Sequence, residues 1–291
     1  MEPRTLKFVA DACGGELKKG ASETLVSNIC TDSRLAKKDD LFVALAGENF
    51  DAHDFLSDVA EKNVAAVIAE QNKLPSNFLG CAIIAVENTR RALAQLASHY
   101  RADFDLPIIA VGGSNGKTST KELIAAVLRQ KFFTLWSEAS FNNEIGVPLT
   151  LLRLEKNHQA AVLETGTNHP GELASLLRII RPGYRVVTSI GREHLEFFCD
   201  MAGVVEEESS LARLLPANGT LFVNCESEWM KQIAQQTRAK VVRVGFNEKS
   251  DFVARNVRLD ETGVTFLVTA PRENLNGDYR INLLGRHQVL N

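Results

Sequence analysis

The residues best suited to chemistry lie between positions 113 and 119. Gly113, Ser114, Asn115, Gly116, Lys117, Thr118 and Ser119 join an apolar run at 108–111 to a helix-patterned stretch at 118–130. A glycine turn of this kind lets backbone N–H groups approach phosphate oxygens. The helix start that follows favours anions, and a lysine adds a full positive charge. The hydroxyl after the lysine, on Thr118, is placed to hold the magnesium that travels with ATP. The long form of the phosphate-loop pattern would need glycine at 111. Val111 stands there, and what remains is the shorter G-x-x-G-K-T from Gly113 to Thr118. An ordinary strand-to-helix turn is the alternative reading, and the flanking strand and helix are the context that favours phosphate binding.

Further candidates fall where strands of the same series end. Glu164 directly follows the apolar run 160–163, and His194 lies in the polar stretch after the predicted strand 185–190. In open parallel sheets, ligands collect beyond the carboxyl ends of strands. A carboxylate there can hold magnesium directly or through water, and a histidine can be a further ligand or orient one. Taken singly, Glu164 reads equally as a solvated strand end or helix cap, and His194 as a structural residue. Asn142 and Asn143, in the stretch 140–148, can donate and accept several hydrogen bonds, or can simply make a turn.

These loops need a scaffold. The first hundred residues alternate apolar strands (41–45, 65–69, 82–86) with helical stretches (53–62, 89–100), the pattern of a small α/β domain. A polar, proline-containing bridge at 101–107 marks the boundary. The expected domains are therefore 1–103 and 104–291. In the second, strands at 108–111, 160–163, 185–190, 220–223 and 241–244 alternate with helices at 118–130, 171–180, 204–215 and 228–236. That order predicts a mostly parallel sheet covered on both faces. Segments 252–258 and 264–269, split by a Gly-containing turn, read as a hairpin. The 291 residues carry a net charge of −3, so no basic field points to nucleic acid. No apolar run approaches the length of a membrane span. Five scattered cysteines, an odd number, fit reduced thiols in a cytoplasmic protein rather than a disulfide framework.

Together, Gly113–Thr118, the stretches 142–150, 163–172 and 190–196, and the amino-terminal segments 31–34, 41–48 and 51–55 resemble the Mur ligase family of ATP-dependent amide-forming enzymes. The resemblance covers nearly the whole chain and implies its chemistry. ATP would phosphorylate the terminal carboxylate of a UDP-N-acetylmuramoyl-tripeptide. The amine of D-Ala-D-Ala would then attack the acyl phosphate, in peptidoglycan precursor synthesis. The implied cofactors are ATP and Mg2+. The implied roles are Thr118, Glu164 and His194 at metal positions, and Lys117 on the transferring phosphoryl group. The amino-terminal domain would hold the UDP-sugar end, with Ser33 and Arg34 as contacts, and Asn142 and Asn143 would also touch substrate. A cytoplasmic monomer is expected.

Three features depart from the family pattern. Mur ligases usually carry a carbamylated lysine on the helix after the histidine loop, and here alignment places Glu208. Its carboxylate would substitute through water, unless the acidic run 206–208 is only a solvated helix face. Gly285–Asn291 resembles the segment near the adenine, with Gln288 where asparagine is usual and Asn291 retained. The family's third, carboxy-terminal domain does not follow. The sequence therefore reads as a truncated chain, expected to bind ATP or the UDP-substrate without ligating at a useful rate. The competing reading is a catalytically inactive Mur-like module that binds nucleotide or UDP-sugar.

Overall fold

The computed structural model describes residues 1–47, 49–75, 78, 80–192 and 195–291. It is an α/β structure that divides into two compact units, Met1–Asp105 with Glu144–Asn157, and Leu106–Asn143 with His158–Asn291. Residues 144–157, which the sequence reading assigned to the second domain, therefore pack in the first.

In the first unit, β1 (Arg4–Thr5) pairs with β3 (Leu25–Val26), and α1 (Leu6–Cys13) starts at a Thr5 cap. A five-stranded sheet collects β2 (Glu16–Lys19), β4 (Ile29–Cys30), β5 (Leu41–Val43), β6 (Ala66–Glu70) and β7 (Ala82–Val86) in the order β2-β7-β6-β5-β4. Only β2 runs antiparallel to its neighbour. Two further helices are α2 (Leu56–Glu61) and α3 (Thr89–Ala102), the latter capped by the Asn88 side chain. Its buried residues Leu93, Leu96, Ala97 and Tyr100 recur at helical spacing.

The second unit is built on nine strands. They are β8 (Ile108–Gly112), β9 (Thr134–Trp136), β10 (Ala160–Glu164), β11 (Tyr184–Val187), β12 (Thr220–Asn224), β13 (Lys240–Gly245), β14 (Phe252–Asp260), β15 (Gly263–Thr269) and β16 (Gly277–Ile281). The order is β16-β15-β14-β13-β12-β11-β8-β10-β9, and every pair from β9 to β14 is parallel. The apolar runs of β8 and β10 are buried almost throughout, as strands covered on both faces must be. On one face α4 (Lys117–Leu128) packs on Val111 and Val162. Between β9 and β10 the chain supplies α5 (Gly146–Leu151) to the first unit. The opposite sheet face carries α6 (Glu172–Ile180), α8 (Met201–Glu208), α9 (Ser210–Arg213) and α10 (Glu228–Ala234), packed around Ala110, Val187, Leu221 and Val223. A short α7 (Leu195–Phe198) precedes α8.

Two expected elements differ, and a third gains a strand. The strand expected over 185–190 ends at Val187, because Thr188–Gly191 turn aside to bond the 113–115 loop. The single helix expected over 204–215 breaks at Ser209, whose hydroxyl donates to Val205 O at 2.6 Å. The expected hairpin is β14–β15, to which β16 adds a third antiparallel strand. Among the described residues no helix is long and apolar enough to cross a membrane.

Candidate active site

Beyond Gly112 the chain turns through 113–116 into α4. Gly113 has φ +107°, and a Cβ there would lie 2.6 Å from Thr188 Oγ1 and 2.8 Å from Ser189 O. Only glycine fits so close to the β11 edge. The loop is braced on that edge. Ser114 N donates to Ser189 O (2.8 Å), Asn115 N to Ser189 Oγ (2.9 Å), and Gly191 N to Ser114 Oγ (2.9 Å). Lys117 Nζ folds back onto the loop carbonyls of Gly113 (2.6 Å) and Ser114 (2.8 Å). The first-turn N–H groups of a helix lack intrahelical acceptors, so α4 presents donors and its positive dipole end here. Ser119 follows within that first turn.

Glu164 closes β10 in register with Val111 of β8, so both strand ends reach the same edge. The residue is 1% exposed. A carboxylate this deeply buried needs donors. Thr118 Oγ1 donates to Oε2 at 2.9 Å and Asn142 Nδ2 to Oε1 at 2.8 Å. The Glu164 N–H donates to Ser137 Oγ at 3.1 Å. Thr118 keeps its oxygen lone pairs while its proton faces Glu164. Asn142 thus stands in the site itself, and exposed Asn143 follows it. At the other side, Asn291 Oδ1 lies 2.4 Å from the point a Cβ on Gly116 would occupy, and Asn291 Nδ2 donates to Gln288 Oε1 at 2.9 Å. The structure therefore gathers Lys117, Thr118, Asn142, Glu164 and Asn291, with Gln288 hydrogen-bonded to Asn291. His194 lies outside the described residues.

The acidic run at the end of α8 is not a solvated face. Glu206 is exposed and pairs with Arg213, but Glu207 and Glu208 are buried. The Glu208 carboxylate sits at the foot of the loop, with Oε2 3.4 Å from where a Cβ on Gly112 would be. Glu207 accepts from Gly171 N (2.8 Å), Leu173 N (2.9 Å) and Thr167 Oγ1 (3.2 Å), capping the start of α6. Buried Arg185 donates to the carbonyls of Ser210, Leu211 and Leu214 and anchors α9, and burial pushes its guanidinium down to about 10. Sequence reasoning passed over Glu207, Ser137 and Lys121. For Lys121 a signal existed, since a second lysine four residues after Lys117 shares its helix face.

Ser33 and Arg34 belong to the first unit. The Arg34 side chain is 87% exposed and pairs with Asp32, whose carboxyl it holds down at about 2. Lys62 Nζ donates to the Ser33 and Arg34 carbonyls, at 2.8 and 3.1 Å.

Residues 111–291 match the Mur ligase middle domain, and residues 25–101 match the Mur ligase family catalytic domain. The chain belongs to the Mur ligase family. It is 37% identical over 289 residues to the UDP-N-acetylmuramoyl-tripeptide–D-alanyl-D-alanine ligase of Escherichia coli, covering 99% of this chain and 62% of that protein. The Bacillus subtilis ligase of the same name is 33% identical over 100% of this chain and 62% of its own length. The chain thus spans about three fifths of these curated relatives. Among solved structures, MurF from Acinetobacter baumannii superposes with a TM-score of 0.92 at 32% identity, covering 100% of this chain and 63% of that one. MurF ligase from Thermotoga maritima, solved in complex with ADP, gives 0.81 at 26% identity, covering 91% and 60%.

Proposed function

We propose that this chain provides the nucleotide-binding and UDP-substrate-binding parts of a cytoplasmic ligase that joins D-Ala-D-Ala to a UDP-N-acetylmuramoyl-tripeptide through an acyl phosphate. The observation that carries the reading is the Thr118 hydroxyl bonded at 2.9 Å to a buried Glu164 carboxylate beside a glycine turn and Lys117. Burying an acid costs free energy that a neutral side chain would not, so its place beside the glycine turn supports a use for its charge. Its oxygens and the Thr118 hydroxyl are the hard donors magnesium takes, alongside phosphate and water. Thr118 and Glu164 would hold Mg2+, with His194 as a further position. The bound ion would supply charge neutralisation for the transferring phosphoryl group.

The chain's own groups do the rest. Lys117 exchanges its loop carbonyls for nucleotide phosphate, and the N–H groups at the start of α4 take phosphate oxygens. Asn142 fixes one Glu164 oxygen and leaves the other toward Thr118. Glu208, beneath the loop, would take the place of the family's carbamylated lysine by binding the metal through water, Gln288 and Asn291 would stand toward the base, and Asn143, Ser33 and Arg34 would contact the UDP-substrate. Titrating Mg·ATP into the folded chain tests the reading. Saturable binding is expected, and Lys117→Met is expected to weaken it about tenfold or more, the loss of a charge-assisted contact. No heat of binding with folded protein would overturn it.

A further inference from the structure

Lys121 lies one turn after Lys117 on α4, and its side chain is 0% exposed. Lysines are seldom buried so fully without partners. The Nζ donates to Ser137 O and Ala139 O, both at 2.9 Å, and pairs with Glu122 Oε1 at 2.8 Å. Both carbonyls belong to the segment that leaves β9. Ala139 within it has φ +44°, a backbone region alanine rarely adopts, so contacts rather than local preference hold this turn. The same segment grips Glu164 twice, through Ser137 Oγ (3.1 Å) and Asn142 Nδ2 (2.8 Å). Its far end is fixed by Gly166 N donating to Asn142 O at 2.8 Å.

We propose that Lys121 is a positioning residue for the metal–phosphate site. Its buried ammonium pins residues 137–139, so that Ser137 holds the Glu164 backbone N–H and Asn142 sets the Glu164 carboxylate against Thr118. The inference rests on the nucleotide-binding reading above. One helix then carries both cationic duties. Lys117 faces the phosphates, and Lys121 orders the loop that aims the acid. Removing the ammonium leaves two carbonyls short of a donor and frees the strained turn at Ala139 to relax. Glu164 would lose orientation while the glycine turn, braced on Ser189 and Gly191, stays as it is.

Calorimetric titration of the whole 291-residue chain tests this, using Mg·ATP and, in chelator, metal-free ATP. Lys121→Met is expected to weaken Mg·ATP about tenfold, the usual cost of losing an outer partner of a metal-binding group. Metal-free ATP should weaken by less than about twofold, since that affinity rests on Lys117 and the loop. In a Glu164→Gln background, Lys121→Met should add less than about twofold, because the residue it acts through is already gone. Lys121→Arg, which keeps the charge and its donors, should recover most of the magnesium-dependent affinity. Equal losses for both forms of ATP, or equal losses in both backgrounds, would overturn the proposal and leave Lys121 as a support of the fold alone. Wild-type protein that binds no Mg·ATP would instead overturn the nucleotide reading. Should Lys121→Met not fold, Asn142→Ala carries the test. A magnesium-selective loss is expected, and unchanged selectivity sinks the idea.

Discussion

At the scale of single residues, the glycine turn at 113–116 depends on one backbone conformation. Gly113 at φ +107° packs where any Cβ would press on Thr188 Oγ1 and on the backbone of Thr188 and Ser189. Gly113→Ala is expected to cost about 2 kcal/mol or more in urea denaturation, because strain and displacement add. Gly183 is the control, since nothing lies within 4 Å of its notional Cβ. Gly183→Ala should stay within about 0.5 kcal/mol of wild type or gain slightly. Equal behaviour of the two variants would show that the brace does not set the loop. In the first unit, Asp51 gives a second test. Burial pushes its carboxyl up, but hydrogen bonds from Lys73 (2.8 Å), the His53 N–H (3.0 Å) and the His53 ring outweigh that and hold it below its ordinary 3.8. His53 Nε2 accepts from Glu70 N, so the neutral ring carries its proton on Nδ1 and donates to Asp51. A carboxyl lowered by folding contributes stability that is fully present above 3.8 and is lost as pH falls through the lower, folded value. Asp51→Asn should therefore be less stable than wild type at pH 6, and the gap should narrow as unfolding is measured at progressively lower pH below about 4. A gap independent of pH would show that the charge of Asp51 is not what matters.

At the scale of elements, the tie between α8 and α6 is the least expected feature. Glu207 spends its carboxylate on two N–H groups and a hydroxyl at the start of a helix more than thirty residues earlier. Glu207→Gln loses charge and part of that acceptor capacity. It should lower the unfolding free energy by about 1–3 kcal/mol, read by urea denaturation. Glu206→Gln, at an exposed pair on the same turn, should change it by less than about 1 kcal/mol. Equal costs would mean that the cap carries no special weight. The contrast also explains what the sequence could reveal. The strands β8 and β10 were legible as uninterrupted apolar runs, and α6 as Leu173, Leu176, Leu177 and Ile180 at helical spacing. The glycine turn with Lys117 and Thr118 was legible because its chemistry is local. The acidic run 206–208 was not, because the fate of each glutamate is set by donors distant in sequence. Nor was the break at Ser209, where a hydroxyl competes for a backbone carbonyl inside an otherwise continuous helical pattern. The three-residue β9 is too short to show a period at all.

At the scale of the whole molecule, the chain passes between its two units three times. The sequence shows the first passage as a polar bridge with a proline near 101–107, and the units part at Asp105 and Leu106. The return is hidden, because Glu144–Asn157 is too short to announce itself as a piece of another core. Its contribution is nonetheless large. Val147, Leu151, Leu152 and Leu154 are buried, α5 packs against α3, and Tyr100, itself fully buried, donates its hydroxyl to Leu154 O at 2.6 Å. Glu2 N in turn donates to that hydroxyl at 2.6 Å, and Lys156 N to Glu2 Oε1 at 3.0 Å, so the segment also anchors the amino terminus. A piece cut at the bridge, residues 1–105, would keep its five-stranded sheet but lose the α5 packing on α3 and the Leu154 carbonyl that accepts from the Tyr100 hydroxyl. Four buried leucine- or valine-sized side chains are worth about 1.5–3 kcal/mol each, comparable to the whole stability of a domain this size. Residues 1–105 alone should therefore show helical circular dichroism, bind a hydrophobic dye and melt without a sharp transition, as loosely packed states do. Joining residues 144–157 to its carboxyl end through a flexible glycine–serine linker should restore a cooperative melt. Sharp, dye-free melting of 1–105 without the added segment would show that the first unit is complete at the bridge and that α5 is only a passenger on its surface.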